Sequence, residues 1–265
     1  MADKARFVRK KVLEMITSAN KGHIGGAYSC TDILVAIYYL GLFNLNPKNP
    51  TGEDRDRFIL SKGHACPALY VILADLGYFD ISELDTFCKN NTRLEGHPDI
   101  NIPGIYATSG SLGQGLSIGV GIALAAKLDK KSFKTIVLMG DGECHEGSVW
   151  ESVMFAGHKK LCNLIAIVDY NKQCATDYID DVICLEPFAD KWKAFNWNVV
   201  HVNGHSFDEL VTAFKQNQYN QRPTVIIAET IKGKGVSFME KELIWHHTVP
   251  KGDQISIANK ELSTT

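Results

Sequence analysis

Apolar positions along the chain recur with two spacings, and the two alternate. Short apolar runs at residues 57–60, 135–139, 164–168, 198–202 and 224–229 have the length and β-branched content of strands. Two of them, 135–139 and 164–168, are apolar nearly throughout, which predicts burial on both faces of a sheet. Between them, residues 68–76, 112–128, 147–159, 187–196 and 206–216 carry helical spacing. Upstream, Val8, Val12, Met15, Ile16 and Ala19 form a helical stripe within residues 3–20. Ser29-Cys30-Thr31-Asp32 predicts the cap of a second helix through Ile37, and Ser82 that of a helix ending near Cys88. Residues 44–56, rich in Pro, Asn and Gly, read as a loop. Alternating strands and helices predict right-handed βαβ units and an α/β fold, a parallel sheet flanked by helices. We expect one domain over residues 1–265, with a loop-rich N-terminal portion folded onto it. Residues 112–128 are apolar almost all round yet carry Gly113, Gly115, Gly119 and Gly121. Glycine in a helix is about 1 kcal/mol worse than alanine. Its use there predicts a buried helix pressed against neighbouring backbone.

Chemistry concentrates where two apolar runs stop. The first ends in Gly140-Asp141-Gly142 and the second in Asp169-Tyr170-Asn171. In an open parallel sheet, ligands bind beyond the carboxyl ends of the strands. Asp141 and Asn171 offer hard oxygens suited to Mg²⁺ or Ca²⁺, and Mg²⁺ commonly shares its shell with phosphates. Gly-Asp-Gly by itself is most often an ordinary turn, so the second strand end is what makes it a candidate site. Three histidines sit beside glycine at element edges, in Gly22-His23, Gly63-His64 and Gly96-His97. One such pair is usually a turn, whereas three ahead of a diphosphate site suggest imidazoles for hydrogen bonding and proton exchange. Thr108 to Gly115 opens the glycine-bearing helix, and tight packing explains its glycines without a ligand. Glu143, Glu146 and Glu151 follow Gly-Asp-Gly, where complementing a helix dipole is the default role. Lys232-Gly233-Lys234-Gly235 reads as a mobile loop, and His246 and His247 after it as surface residues. His158, His201 and His205 are assigned to packing or solvent.

Composition narrows the classes. A chain of 265 residues with 45% hydrophobic and 22% charged residues can bury a core. A net charge of −2 gives no global attraction to nucleic acid or an anionic membrane, and no apolar stretch reaches a membrane span. Seven cysteines without a Cys-x-x-Cys pair argue against a disulfide framework or zinc site, and predict a reducing, cytoplasmic setting.

Taken in order, Gly-His-Ile-Gly-Gly, Ser-Lys-Gly-His, Glu-Gly-His-Pro, Gly-Ser-Leu-Gly-Gln-Gly, Gly-Asp-Gly and Trp-His resemble the N-terminal, thiamine diphosphate-binding part of transketolases. The resemblance runs from about residue 5 to about residue 250 and is closest to forms split over two polypeptides. It implies that Asp141, the Asn171 side chain and the Gln173 carbonyl hold Mg²⁺ (or Ca²⁺ or Mn²⁺). It implies cofactor contacts from His64, Gly110, Ser111, Leu112, Gly140, Asp141, Gly142, Glu143, Asn171 and His246. His23, His64, His97 and His246 would line the substrate channel, and Glu146 and Glu151 would link two active sites across an interface. The implied reaction moves a two-carbon ketol unit from a ketose phosphate to an aldose phosphate, as in the pentose phosphate pathway. The glutamate that acts on the cofactor's pyrimidine ring belongs, in such enzymes, to a second domain type. A partner subunit carrying that domain is therefore implied, in a heterotetramer with two copies of each chain. Two other readings stay open: a non-catalytic cofactor-binding regulator, and a related ketol transferase or condensing enzyme with other sugars. The chain departs from the family pattern at Ile24, Cys144, His145, Tyr178 and Asn196, the last two standing where glycine is expected.

Overall fold

The computed structural model describes residues 1–216 and 221–264. The chain runs α1 (Ala2–Ala19), α2 (Ile24–Ser29), α3 (Thr31–Tyr39), β1 (Arg57–Leu60), α4 (Cys66–Asp75), α5 (Gln114–Leu128), β2 (Thr135–Gly140), α6 (Gly147–Lys159), β3 (Leu164–Tyr170), α7 (Ile179–Val182), α8 (Phe188–Ala194), β4 (Asn198–Asn203), α9 (Phe207–Gln216), β5 (Thr224–Glu229) and α10 (Asp253–Thr264). The five strands form one sheet in the order β1-β2-β3-β5-β4, every pairing parallel, so the predicted α/β architecture stands. Side chains alternate across it. Ile136, Leu138, Ile165, Ile167 and Ile226 enter a core shared with α1, α3, α4 and α9. Val137, Met139, Ala166, Val168 and Ile227 enter a second core with α5, α6 and α8. Apolar residues on both faces of a strand are thus each buried, which stabilises by about 1.5–3 kcal/mol per large side chain. Among the described residues no helix is long and apolar enough to cross a membrane.

Register positions the chemistry. Gly140 pairs with Asp169, and Tyr170 with Glu229, so β2, β3 and β5 deliver their carboxyl ends side by side.

Several local expectations are corrected. The second helix is two helices, α2 and α3, broken at Cys30, and no side chain caps α3. Ser29 instead donates to the Gly26 carbonyl at 3.1 Å and to the Asp169 carboxylate. The segment after Tyr78 is a 3₁₀ helix over Ile81–Thr86, capped by Asp80, whose Oδ1 accepts from the Ser82 amide at 2.8 Å. α5 is not buried all round: Ser117, Ile118, Gly121, Ala125 and Leu128 face outward, while Gly115, Leu116, Gly119, Val120 and Ala123 pack inward. Gly113 lies just before α5, in the left-handed region at φ 80°. Asn196 also sits there, at φ 64°, which glycine and asparagine tolerate best. Tyr178 is extended at φ −75° and needs no glycine.

Candidate active site

β1 ends in Ser61-Lys62-Gly63-His64, and the tight turn there depends on glycine. A Cβ on Gly63 would stand 2.8 Å from Ser109 Oγ and 3.0 Å from the Gly110 amide nitrogen. This contact brings the loop before α5 onto the β1 end, secured by Ser109 Oγ donating to the Leu60 carbonyl at 2.6 Å. Lys62 is fully buried. Its ammonium pairs with the Asp169 carboxylate and donates to the Gly26 carbonyl at 3.1 Å. Asp169 also accepts from Ser29 and Thr230. Burial pushes the Asp169 carboxyl up, but Lys62 more than offsets this and holds it below the ordinary range. Lys62 is likewise raised to about 12, Asp169 outweighing its burial.

Above this buried pair lies Asp141, only 2% exposed, its carboxylate accepting from the Gly142 amide at 2.8 Å and from the Lys172 amide. Burial first, and then the Asp169 charge, push its carboxyl up to about 7. Glu143 is tied into the frame: it accepts from Ser61, from the Gly113 amide at 2.9 Å and from the Gly140 amide at 3.2 Å. The helix-dipole reading of the three glutamates is therefore corrected. Glu143 staples the loops around the cavity, Glu146 precedes α6 without a side-chain cap bond, and Glu151 lies exposed a turn further on.

The histidines converge. The His23 ring centroid lies 5.3 Å from His64, 6.3 Å from His97 and 5.3 Å from His246; His64 and His246 are 5.2 Å apart. His246, which its local sequence alone assigns to the surface, is half-buried on a 3₁₀ turn over Leu243–His246. Burial lowers His23 to about 4 and His246 to about 3, and lowers His64 well below the usual imidazole range. All three are neutral near pH 7, each with one donor and one acceptor nitrogen. The buried Nδ1 of His246 has no hydrogen-bond partner.

These groups line one cavity of ≈ 350 Å³. His23, His64, His97, Gly110, Leu112, Gly140, Asp141, Gly142, Glu143, Asn171, Gln173 and His246 all border it, as the sequence reading requires. Ser111, beside them in sequence, is exposed and does not. Two lysines that sequence reasoning passed over also border it. Lys62 was hidden in the Ser-Lys-Gly-His motif as a neighbour of the histidine. Lys232, placed in a mobile loop, is in fact buried, its Nζ donating to the Cys174 carbonyl at 2.6 Å. Burial and then Lys62 lower Lys232 to about 8. Its position two residues beyond Thr230, at the end of β5, was the signal that could have found it. His145 is tied to the Ile183 carbonyl at 2.8 Å, clamping the loop after Asn171. Cys144 is buried in the core beneath that loop. His158 and His201 are exposed, as expected, whereas His205 is hydrogen-bonded within the protein.

The cavity therefore joins neutral imidazoles, hard oxygens and two buried cations at the ends of parallel strands. That combination suits an anionic ligand with a polar reacting end. Comparison with known proteins agrees. The family model described as transketolase, thiamine diphosphate binding domain, matches residues 2–264. One of the two subunits of apulose-4-phosphate transketolase from Phocaeicola vulgatus is 43% identical over 96% of this chain and 91% of its own length. The 6-deoxy-6-sulfo-D-fructose transketolase subunit SqwG of Clostridium sp. is 45% identical over 92% of this chain and 89% of its own. Rat transketolase is 37% identical over 93% of this chain, which spans only 39% of that protein. Among solved structures, transketolase from Campylobacter jejuni superposes with a TM-score of 0.93 at 31% identity, covering 99% of this chain and 42% of that one. Sequence, fold and motif order agree over almost every residue: the chain belongs to the transketolase family, as its thiamine diphosphate-binding domain.

Proposed function

We propose that this single-domain chain is the cofactor-binding subunit of a two-component transketolase, moving a two-carbon ketol unit between sugar phosphates. The observation that carries this reading is the convergence of His23, His64, His97 and His246 on the same cavity as Asp141 and Asn171. The donor set fits a cation bound with a diphosphate. One carboxylate, the Asn171 amide oxygen and the Gln173 carbonyl leave much of an octahedral Mg²⁺ shell to phosphate oxygens. Lys232 adds positive charge on the same wall, and the unpartnered His246 Nδ1 offers a hydrogen bond to an incoming group. Thiamine diphosphate, once bound, supplies the carbon nucleophile and electron sink. The protein's part is to hold it and to manage protons. Gly110 and Leu112 pack the rings, with Ser111 at the margin, and Gly140, Gly142 and Glu143 shape the diphosphate end. His64 and His246 donate to the substrate oxygen as negative charge builds on it, which neutral imidazoles do without a buried counter-charge. His23 and His97 orient the sugar hydroxyls nearer the channel mouth. Glu146, at the margin before α6, links this site to its neighbour across a subunit face. The remaining catalytic glutamate and most of the sugar-phosphate grip come from the partner subunit with the pyrimidine-binding domain.

A second reading, the same chemistry on a different sugar, draws support from the two bacterial relatives named for apulose-4-phosphate and for a sulfonated fructose. One preparation separates the readings. The chain is co-purified with its native partner and assayed for ketol transfer from xylulose 5-phosphate to ribose 5-phosphate, with sulfofructose and apulose 4-phosphate as alternative donors. Activity should require both thiamine diphosphate and Mg²⁺ and fall at least 100-fold in Asp141→Ala. Full activity in that variant would refute the metal site.

A further inference from the structure

His205 lies outside the cavity, in the turn between β4 and α9, and the chemistry above makes no use of it. Both its ring nitrogens are nevertheless committed. Nε2 accepts from the Ile231 amide at 2.9 Å, so it carries no proton. Nδ1 then carries the proton and donates to Asp32 Oδ2 at 2.7 Å. Asp32 is anchored in turn by Arg9, with Nη2 to Oδ2 at 2.6 Å and Nη1 to Oδ1 at 3.3 Å. Arg9 Nη2 also donates to the Tyr28 carbonyl at 3.0 Å. A continuous line of bonds thus runs from α1 through α3 and the imidazole to one backbone amide.

That amide occupies a telling position. On one side of Ile231, Thr230 donates its hydroxyl to Asp169, the carboxylate under the cavity. On the other side is Lys232, the buried cation that borders the cavity. We propose that His205 is a positioning residue: by accepting from the Ile231 amide it fixes the chain beyond β5, and with it the Lys232 ammonium that faces the cofactor's diphosphate. The inference rests on the reading of the cavity as a thiamine diphosphate site. The imidazole suits the task because one ring presents a donor and an acceptor in a rigid plane. A charged imidazolium, a donor at both nitrogens, could not accept from Ile231.

Two substitutions separate this role from simple packing. His205→Gln can offer an amide oxygen near the place of Nε2 and so preserve the acceptor. His205→Asn reaches only as far as Nδ1 and preserves the Asp32 contact alone. Both are made in the full chain with its partner subunit, and Lys232→Met serves as reference. Thiamine diphosphate affinity in Mg²⁺ is measured by calorimetry, and amide exchange is followed over residues 229–235. The expected result for Asn is a Kd at least tenfold higher and at least tenfold faster exchange at Ile231, with kcat at saturating cofactor within twofold. Gln should return both to within threefold of wild type, and Lys232→Met should weaken the cofactor without speeding exchange at Ile231. Equal losses in Gln and Asn, or no loss in Asn, would overturn the inference while wild-type binding stood. A wild-type protein that failed to bind the cofactor would instead overturn the reading of the cavity.

Discussion

His23, His246 and His64 titrate far from where free histidines do, because burial disfavours their charged forms. Between pH 6.5 and about 4, the unfolded chain binds protons at His23 that the folded chain refuses. The stabilisation they give is complete above pH 6.5 and is lost as pH falls. Asp141 has the opposite sign. Raised to about 7, it stabilises the metal-free chain fully only below its ordinary carboxylate range, and loses this as pH rises through 7. The two effects oppose each other on acidification, so the histidine part is read by difference. The double variant His23→Asn/His246→Asn should lose fewer degrees than wild type between pH 6.5 and 4.5 in melting scans of the metal-free chain; parallel curves would contradict the assignment. Lys62 and Asp169 make a sharper case. Removing one partner strands a buried charge, so Lys62→Met should destabilise by about 3–5 kcal/mol in urea titrations, and adding Asp169→Asn should recover part of the loss. Single residues divide clearly in how far sequence announces them. Asp141 and Asn171 are legible because each ends an apolar strand. Lys62 and Lys232 are not, because the burial that makes them site residues comes from segments far away in the chain.

At the scale of elements, α5 shows how a right inference can be half placed. Its glycines were expected to meet neighbouring backbone, and two do have close neighbours. A Cβ on Gly115 would stand 2.2 Å from Ser61 Oγ and 2.9 Å from the Ser61 Cα, and one on Gly119 would stand 2.5 Å from Val137 Cγ2. Gly121 meets nothing within 4 Å, since it faces outward. Gly115→Ala should therefore destabilise by about 1–3 kcal/mol through overpacking. Gly121→Ala should be neutral or stabilise the isolated chain by about 0.4–1 kcal/mol through lower unfolded-state entropy. Equilibrium unfolding of the two variants checks this, and similar values would remove the distinction. The strands were placed within a residue or so because their apolar runs stop abruptly at polar clusters. α2 and α7 escaped notice because six and four residues are too short to display a period.

For the whole molecule, the outward face of α5 and α6 poses the main question. Ile118 is 38% exposed, Leu128 72%, Met154 54% and Phe155 40%, on two helices joined by a Ser117–Ser152 hydroxyl contact of 2.7 Å. Apolar residues grouped on one face suit a subunit interface. It lies beside Glu146 and Glu151, which the proposed function places between two active sites. In sedimentation runs the chain alone should form a dimer, and Ile118→Glu/Met154→Glu should leave a monomer whose melting temperature stays within about 2 °C. A wild-type monomer would remove this face from the proposed assembly. By itself, the sequence determined the βαβ alternation, the strand ends that carry Asp141 and Asn171, and the family, because these depend on local periodicity and on motifs contiguous in the chain. Only the tertiary structure decided which histidines meet, that two lysines are buried beneath and beside them, that Glu143 staples loops, and which side of α5 stays uncovered. Each of those depends on distances between segments tens of residues apart, set by sheet order and register, which no local pattern encodes.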